Sequence, residues 1–351
     1  MSARRAAAMG VAATGAAALA LVAAPAALGA SRTVTVEGWW PRAMAFSDRA
    51  LVWTEAAPVR VDPRRIPGSP PGAVAFTYYR AEAFRAPLDR AGRRFATTPE
   101  TLISIRTSIA AMTPGALAPM PAAGLVAAPW SSRFAPPVVA CCTSDGDEIE
   151  IDSDGRPDAL PAVAAAWDGT AVRWVQLRPD GTQVLRRQGS DAPVGASGPP
   201  RRGLVALAPD RRSWVDPAAP TTLLIQDDRI AGTTPRAVPL PGPAVGVWAA
   251  AGLTAVAVRT GSRVAVVRVD AGGAQRVWAG GRVPRVAVGG GSVALADGRT
   301  VYAARRGALR RVTTARRQVD AVAIDGRRLA WAERGTRRGA RVAVLRLAAI
   351  R

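Results

Sequence analysis

Residues 319–347 read VDAVAIDGRRLAWAERGTRRGARVAVLRL, three short apolar runs separated by polar turns. The first turn is Asp325-Gly326, a dipeptide that tolerates the positive φ of a tight hairpin. The second turn is the glycine-bearing segment 333–339. These runs predict a small antiparallel sheet of three strands. Such a sheet cannot bury both of its faces alone, so we expect further sheets to pack against it.

The unit around Trp331 recurs along the chain, and we call the residue that corresponds to Trp331 in each copy its marker. Each copy follows a polar turn. The weaker copies have a smaller apolar residue as their marker. In chain order the markers are Trp53, Trp174, Trp214, Ala255, Leu295 and Trp331. From Trp174 onward the markers are about 40 residues apart, and the first gap corresponds to about three such units. A period of about 40 residues with several short strands is the signature of a β-propeller blade.

Helical repeats of similar length are the competing architecture. They require amphipathic runs of ten or more residues with a period of 3.6. The runs in this chain are short, rich in Val and interrupted by Gly, Pro and Asp-Gly. We therefore predict an all-β fold, a propeller of about seven blades, with six to eight allowed by the spacing.

Three segments share the pattern of short strands and polar turns: AFSDRALVWTE (45–55), AAWDGTAVRWVQ (165–176) and AIDGRRLAWAE (323–333). They resemble the TolB-like and WD40-like propeller repeats of secreted bacterial proteins. The resemblance extends from about Ala43 to Leu347 with a gap in the middle. It implies the fold and is not specific for a function. We expect the marker tryptophans to pack between blades, and a ligand cage built from them is the alternative.

The first 30 residues have the pattern of a signal peptide. Arg4 and Arg5 precede an uncharged Ala/Leu/Val stretch, Met9–Leu28, and small residues offer cleavage sites before Ser31. An uncleaved anchor is the alternative reading. Later in the sequence we see no stretch long and apolar enough to cross a bilayer. The prediction is an exported protein, outside the cell or in its envelope, with residues 31–351 forming a single propeller domain.

Two parts of that domain depart from the repeat. Residues 31–41 contain the alternating segment Thr33–Val36, which we expect to close the ring against the last blade and so protect the sheet edges. Residues 57–139 are rich in Pro, and the period is hard to see there. This region is predicted to contain two divergent blades or an inserted subdomain.

The chain is strongly basic, with a formal net charge of +21. It contains no lysine, so all of its basic residues are arginine. Arginine pairs cluster near the C-terminus: Arg305-Arg306, Arg310-Arg311, Arg316-Arg317, Arg327-Arg328 and Arg337-Arg338. Such surfaces attract anionic polymers, although solvated loops are the simpler explanation. We expect a protein or an acidic polymer of the envelope as partner. Nucleic acid is the weaker alternative, because we see no nucleic-acid-binding fold and no aromatic residues interleaved with this cluster in the way that a stacking platform needs.

The absent residue types exclude several kinds of chemistry. Without histidine the chain cannot build a Ser-His-Asp triad or a His-liganded metal site, and without lysine it has no Walker-type phosphate loop. Carboxylates remain, and Glu55 and Glu333 occupy equivalent repeat positions, which favours a structural role. The predicted function is therefore a non-catalytic, monomeric scaffold. The alternative is a carboxylate-based carbohydrate-active enzyme, a lyase or glycosidase, with acids from different blades facing the central channel.

One acidic segment stands out in this basic chain. Glu150, Asp152, Asp154, Gly155 and Asp158 follow the spacing of the calcium loops in FG-GAP and integrin-type propeller blades, which the segment resembles. Ca²⁺ takes six to eight oxygen ligands, and Gly155 would permit the sharp turn of the loop. Glu stands at the first position, where Asp is usual. A solvated acidic hairpin loop is the alternative.

The cysteines of the chain, Cys141 and Cys142, are adjacent and directly precede this segment. In an exported protein two such thiols tend to oxidise together. Neighbouring Cα atoms are about 3.8 Å apart, less than a disulfide usually spans, so a bridge between them would be strained. A vicinal disulfide and two free thiols both remain open.

Overall fold

The structure is a computed structural model. It describes residues 33–37, 41, 43–47, 49–61, 76–96, 99–107, 113–114, 118–120, 125–131, 138–141, 149–151, 162–168, 170–177, 182–187, 203–230 and 233–350. For the strands between residues 100 and 163 the description is largely confined to the backbone. Throughout these ranges the regular elements are β-strands, as the sequence predicts.

The strands are numbered in chain order. The N-terminal strand β1 (Thr33–Glu37) precedes blade 1, which contains β2 (Ala43–Ser47), β3 (Ala50–Val61), β4 (Phe76–Pro87) and β5 (Glu100–Thr107). An irregular sheet follows, with β6 (Thr113–Pro114), β7 (Ala118–Met120), β8 (Leu125–Ser131), β9 (Val138–Cys141) and β10 (Ile149–Ile151). Blade 2 contains β11 (Ala162–Trp167), β12 (Val172–Leu177) and β13 (Gln183–Arg187).

The C-terminal half is more regular. Blade 3 contains β14 (Leu204–Ala208), β15 (Arg211–Val215), β16 (Thr222–Asp227) and β17 (Arg236–Pro239). Blade 4 contains β18 (Ala244–Ala250), β19 (Leu253–Thr260), β20 (Arg263–Asp270) and β21 (Gly273–Gly280). Blade 5 contains β22 (Arg285–Gly289), β23 (Ser292–Asp297), β24 (Thr300–Ala304) and β25 (Arg310–Thr314). Blade 6 contains β26 (Val319–Asp325), β27 (Arg328–Arg337) and β28 (Ala340–Ala349).

The first strands of the blades surround the centre of the molecule. Strand β22 lies beside β18 and β26, β14 lies beside β11 and β18, and β2 lies beside β26. On the far side of blade 6, β1 pairs antiparallel with β28, from Thr33 opposite Arg346 to Glu37 opposite Val342. The predicted strand closure between the two ends of the chain is therefore present in the structure.

The predicted count of about seven regular blades is not supported. Within the described ranges six sheets have the antiparallel blade order, which lies at the lower end of the predicted six to eight. The irregular sheet lies between blades 1 and 2, with β7 beside both β2 and β11. Its strands carry Pro114, Pro119 and Pro129. Because proline has no N–H to donate, it interrupts the ladder of hydrogen bonds, and pairing there extends over only a few residues.

The marker residues occupy one structural position, on the second strand of each regular blade. Trp53 is on β3, Trp174 on β12, Trp214 on β15, Ala255 on β19, Leu295 on β23 and Trp331 on β27. All are buried, and none is more than 4% exposed. Their side chains belong to the packed core of the sheets, as the repeat predicts. This burial does not support the alternative, a ligand cage built from the tryptophans.

The blades present two faces. We call the face at which the first and second strands of a blade are joined the lower face, and the face at which the second and third strands are joined the upper face. The turns 251–252, 290–291 and 326–327 lie on the lower face, and the turns 261–262, 298–299 and 338–339 lie on the upper face. The described part of the chain contains no helix that could span a membrane.

Candidate functional site

Strand direction separates the arginine pairs that cluster in the sequence. Arg316-Arg317 and Arg337-Arg338 lie on the upper face, in the loop before β26 and at the turn between β27 and β28. The other pairs, Arg305-Arg306, Arg310-Arg311 and Arg327-Arg328, lie at the opposite ends of their strands, on the lower face. The sequence cluster is therefore two separate surfaces.

The upper face of blades 4 to 6 carries the denser set of exposed guanidinium groups. Its exposed arginines are Arg259, Arg263, Arg282, Arg285, Arg299, Arg316, Arg317, Arg337, Arg338 and Arg341. The carboxylates described at this end of the three blades are Asp297 and Asp320. Glu37 also ends β1 here, in a part of that strand where the structure describes the backbone. The excess of arginine makes this upper face strongly positive.

The two acids are each paired with an arginine. The Nε atom of Arg282 donates to Oδ1 of Asp297 at 2.8 Å. The guanidinium of Arg334 binds both oxygens of Asp320, at 2.9 Å from Nε and 2.6 Å from Nη2. The Asp320 carboxylate raises the pKa of Arg334 through these hydrogen bonds. Asp320 itself is buried on β26, so this pair is held rigidly within blade 6.

Backbone hydrogen bonds fix the loop that carries Arg316 and Arg317. The Ala315 amide donates to the Arg299 carbonyl at 2.7 Å, and the Val319 amide donates to the Gly298 carbonyl at 2.9 Å. The Arg334 amide donates to the Gln318 carbonyl at 2.8 Å. Both ends of this loop are thus attached to neighbouring strands. The guanidinium groups therefore project from a stable backbone.

Several lower-face arginines have a different role, because they join neighbouring blades. Arg173 of blade 2 is buried and donates to Asp228 Oδ2 and to the Ala208 carbonyl of blade 3, both at 2.8 Å. Arg268 of blade 4 donates to the carbonyl of Arg305 at 2.5 Å and to that of Gly291 at 3.3 Å, both in blade 5. Part of the arginine excess thus has a structural function.

A half-buried carboxylate, Asp168, accompanies this set of contacts in blade 2. Burial raises the pKa of Asp168, but hydrogen bonds from the backbone amides of Ala171 and Thr170, from the Thr170 hydroxyl and from Arg187 lower it to about 2. Asp168 therefore stays ionised at neutral pH and balances the guanidinium of Arg187, 3.1 Å away. This arrangement fixes the turn between β11 and β12.

Glu55 and Glu333 have the same local geometry, as their equivalent repeat positions suggest. Trp53 Nε1 donates to Glu55 Oε1, and Trp331 Nε1 donates to Glu333 Oε1, each at 3.1 Å. Both carboxylates are 3% exposed, and Glu333 also accepts from Arg346 at 2.5 Å. These acids hold the indole rings in place inside the sheets.

The enzyme alternative requires two acids that face the central channel from different blades. On the first strands that the structure describes, the acids are Asp320 and Asp325. Both belong to β26, and each is paired with an arginine, Arg334 and Arg328 respectively. The described first strands therefore do not bring together the pair of carboxylates that such an enzyme needs.

The predicted calcium loop and cysteine pair lie mostly outside the described residues. Glu150 is in β10, where its backbone pairs with Val139, and Asp152, Asp154 and Asp158 are outside the described ranges. Cys141 ends β9 opposite Val126, and Cys142 is outside them. Among described side chains no group of three or more His, Cys, Asp or Glu residues has a metal-binding arrangement. The calcium and disulfide predictions remain predictions.

Comparisons with known proteins agree on the architecture. No protein-family model matches the sequence, and no curated protein matches it significantly. The β-propeller domain of Cps50 (Swd1) from Myceliophteria thermophila is similar in structure, with a TM-score of 0.54 at 12% identity over 91% of this chain and 100% of that one. YCF48 bound to D1 peptide is similar with a TM-score of 0.53 at 9% identity, over 92% and 97%.

A designed protein extends this comparison. The computationally designed Ika8 protein is similar with a TM-score of 0.50 at 15% identity, over 92% of this chain and 100% of that one. At such low identities the likeness establishes the fold alone. The chain is a β-propeller. The TolB-like and FG-GAP resemblances remain predictions.

Proposed function

We propose that the protein is an exported, non-catalytic propeller scaffold that binds an acidic polymer of the cell envelope through the upper face of blades 4 to 6. The observation that carries the proposal is the set of exposed arginines on this face, which greatly outnumber the described carboxylates. Paired guanidinium groups such as Arg337-Arg338 attract carboxylate, phosphate and sulfate groups. The propeller fold supplies a rigid support on which such groups keep their spacing.

The proposal is tested with two triple variants of equal charge. R316Q/R337Q/R338Q removes three guanidinium groups from the upper face, and R305Q/R306Q/R327Q removes three from the lower face. At about 0.5 kcal/mol for each lost surface contact, the upper variant should bind polygalacturonate about tenfold more weakly. The lower variant should bind nearly as well as the natural protein. Affinity is measured by titration at fixed ionic strength, because salt screens these contacts.

The control for this experiment is the lower variant itself. If both variants lose affinity equally, net charge alone is responsible and the upper face is not the site. If neither loses affinity, the proposed function is wrong. Melting curves of both variants should match that of the natural protein, since the mutated side chains are exposed.

We also propose that Glu150, Asp152, Asp154 and Asp158 bind Ca²⁺ and stabilise the loop after β10. The alternating acids of this segment support the proposal, since Ca²⁺ prefers several oxygen ligands on one tight loop. Ca²⁺ should raise the melting temperature of the natural protein, and EDTA should reverse the effect. Asp154→Asn should abolish the response. An unchanged melting curve in EDTA would remove the proposal.

A further inference from the structure

An open pocket interrupts the upper face at the start of blade 6. Its volume is about 430 Å³, and it is lined by Arg317, Gln318, Arg334, Gly335 and Thr336. This volume is within the range of pockets that hold small ligands, roughly 300–1,000 Å³. The pocket lies between the loop before β26 and the upper end of β27. It is therefore a shallow, open depression within the basic surface on which the proposed function rests.

Glycine at position 335 makes room for a guanidinium group here. A Cβ at this position would lie 2.7 Å from Nη1 of Arg317 and 2.8 Å from Cγ2 of Val342. Both distances are shorter than a carbon atom allows, so the missing side chain lets the head of Arg317 lie close to β27. This contact orients the Arg317 guanidinium beside the pocket.

The two arginines of the pocket are not equivalent. Arg334 is neutralised by its two hydrogen bonds to Asp320 and forms part of the wall. Arg317 is exposed and makes no ion pair with any carboxylate whose side chain the structure describes. Arg317 is therefore the group that can bind an oxyanion, and its planar fork suits a carboxylate in two-point contact.

The remaining polar groups suit a hydroxylated ligand. Gln318 offers an amide donor and acceptor, and Thr336 offers a hydroxyl. Both residues are exposed, so these groups face solvent until a ligand arrives. Among the described residues the lining is polar, and its hydroxyl and amide groups suit the hydroxyl groups of a sugar.

We propose that this pocket is a subsite for one acidic sugar unit of the polymer, with its carboxylate at Arg317 and its hydroxyl groups at Gln318 and Thr336. The inference depends on the proposed function and makes it more specific. The upper face would attract acidic polymers in general through its charge. The pocket would select polymers that carry hydroxyl groups next to their charge.

The test uses the natural protein and three single variants. Arg317→Gln removes the pocket cation, and Arg316→Gln removes the neighbouring exposed cation, which does not line the pocket. Thr336→Val removes a hydroxyl and leaves the charge unchanged. The probes are polygalacturonate, which has carboxylates and hydroxyls, inorganic polyphosphate, which has charge without hydroxyls, and single-stranded oligothymidine.

The expected result has two parts. Arg317→Gln should weaken polygalacturonate binding about tenfold, and Arg316→Gln by threefold or less. Thr336→Val should weaken polygalacturonate binding about threefold to tenfold, which corresponds to the loss of one hydrogen bond, and should leave polyphosphate binding unchanged. All three variants should melt like the natural protein, since the changed side chains are exposed.

The subsite is wrong if Arg317→Gln and Arg316→Gln have equal effects, or if Thr336→Val has none. In that case the triple variant of the upper face can still lose affinity, and the proposed function survives. If that triple variant binds normally, the proposed function fails as well. Tighter binding of oligothymidine than of polygalacturonate would also overturn the choice of an acidic sugar.

Discussion

At the scale of the residue, the bond between an indole and a carboxylate two positions later explains why acids recur inside this basic protein. A buried indole N–H that lacks an acceptor is costly. In blades 1 and 6 the acceptor is Glu55 or Glu333. In blade 2 the equivalent residue is Gln176, whose Oε1 accepts from Arg186, and Trp174 Nε1 has no partner within the described ranges. We therefore expect blade 2 to be held less tightly than blade 6.

Glu333→Leu should lower the free energy of unfolding by about 3 kcal/mol or more. The substitution removes the acceptor of Trp331 and also the partner of Arg346, leaving two buried or half-buried donors unpaired. Glu333→Gln keeps an acceptor for the indole and should cost less. Denaturant titration of the two variants measures the difference. Equal losses would show that the hydrogen bond to Trp331 contributes little.

The sequence predicts part of this residue chemistry. The equal spacing of Glu55 and Glu333 from their tryptophans indicates a structural role before any contact is known. It does not indicate the third partner, since Arg346 lies on a different strand and reaches Glu333 only once β27 and β28 are paired. The sequence also does not distinguish Arg173 and Arg268 from the exposed arginines, because the burial of these two side chains depends on contacts with the neighbouring blade.

At the scale of the element, the lower-face turn between β22 and β23 shows how closely the blades approach each other. Gly290 has a φ of +53°, and a Cβ there would lie 2.1 Å from the Gly326 amide nitrogen in the equivalent turn of blade 6. The Ser292 hydroxyl donates to the Gly326 carbonyl at 2.7 Å. The two turns therefore contact through their backbones, and a side chain at position 290 has no space.

Gly290→Ala should destabilise the protein by about 3 kcal/mol or more, since overpacking adds to the cost of a positive φ. The matched control is Gly291→Ala. Gly291 also has a positive φ, +72°, but a Cβ there meets nothing within 4 Å. Its substitution should cost about 1 kcal/mol from backbone strain alone. Thermal unfolding of both variants measures the difference, and equal melting temperatures would contradict the contact between blades.

The glycines at positions 289–291 predict a turn from the sequence, and the structure has one. Which of them contacts another blade is not encoded locally, because the contact joins residues 36 positions apart along the chain. The irregular sheet of β6 to β10 is a second feature that the repeat pattern of the sequence does not predict. Its prolines hide the period there, and the described part of the structure has six blades, the lower end of the predicted six to eight, in place of about seven.

At the scale of the whole molecule, two features concern all of the blades together: the closing strand β1 and the division of the arginines between two faces. The alternating residues of β1 predict that this strand closes the ring. In the structure Val34 and Val36 pack against the buried cluster around Leu345. The distribution of arginine between the two faces is not predicted by the sequence in the same way. It depends on the direction of each strand within the ring, so arginines that form one cluster in the sequence form two separate surfaces in the structure.

Val36→Asp should release β1 from blade 6, because it places a charge against the buried cluster. We expect a loss of about 2 kcal/mol or more in the free energy of unfolding. Thr35→Asp introduces the same charge on the exposed side of the same strand and should change stability by less than about 0.5 kcal/mol. The comparison is made by denaturant titration. Similar losses in both variants would mean that the closing strand does not depend on its apolar face.

The pairing of Thr33 with Arg346 has a consequence for biosynthesis. Its two partners are separated by nearly the whole polypeptide, and contacts of this kind form slowly because a very large loop must close first. A ribosome releases the N-terminal partner long before the C-terminal partner. Until Arg346 has left the ribosome, the newborn chain can form only an incomplete ring with an unprotected sheet edge. We therefore expect the pairing of β1 with β28 to be the last part of the molecule that folds.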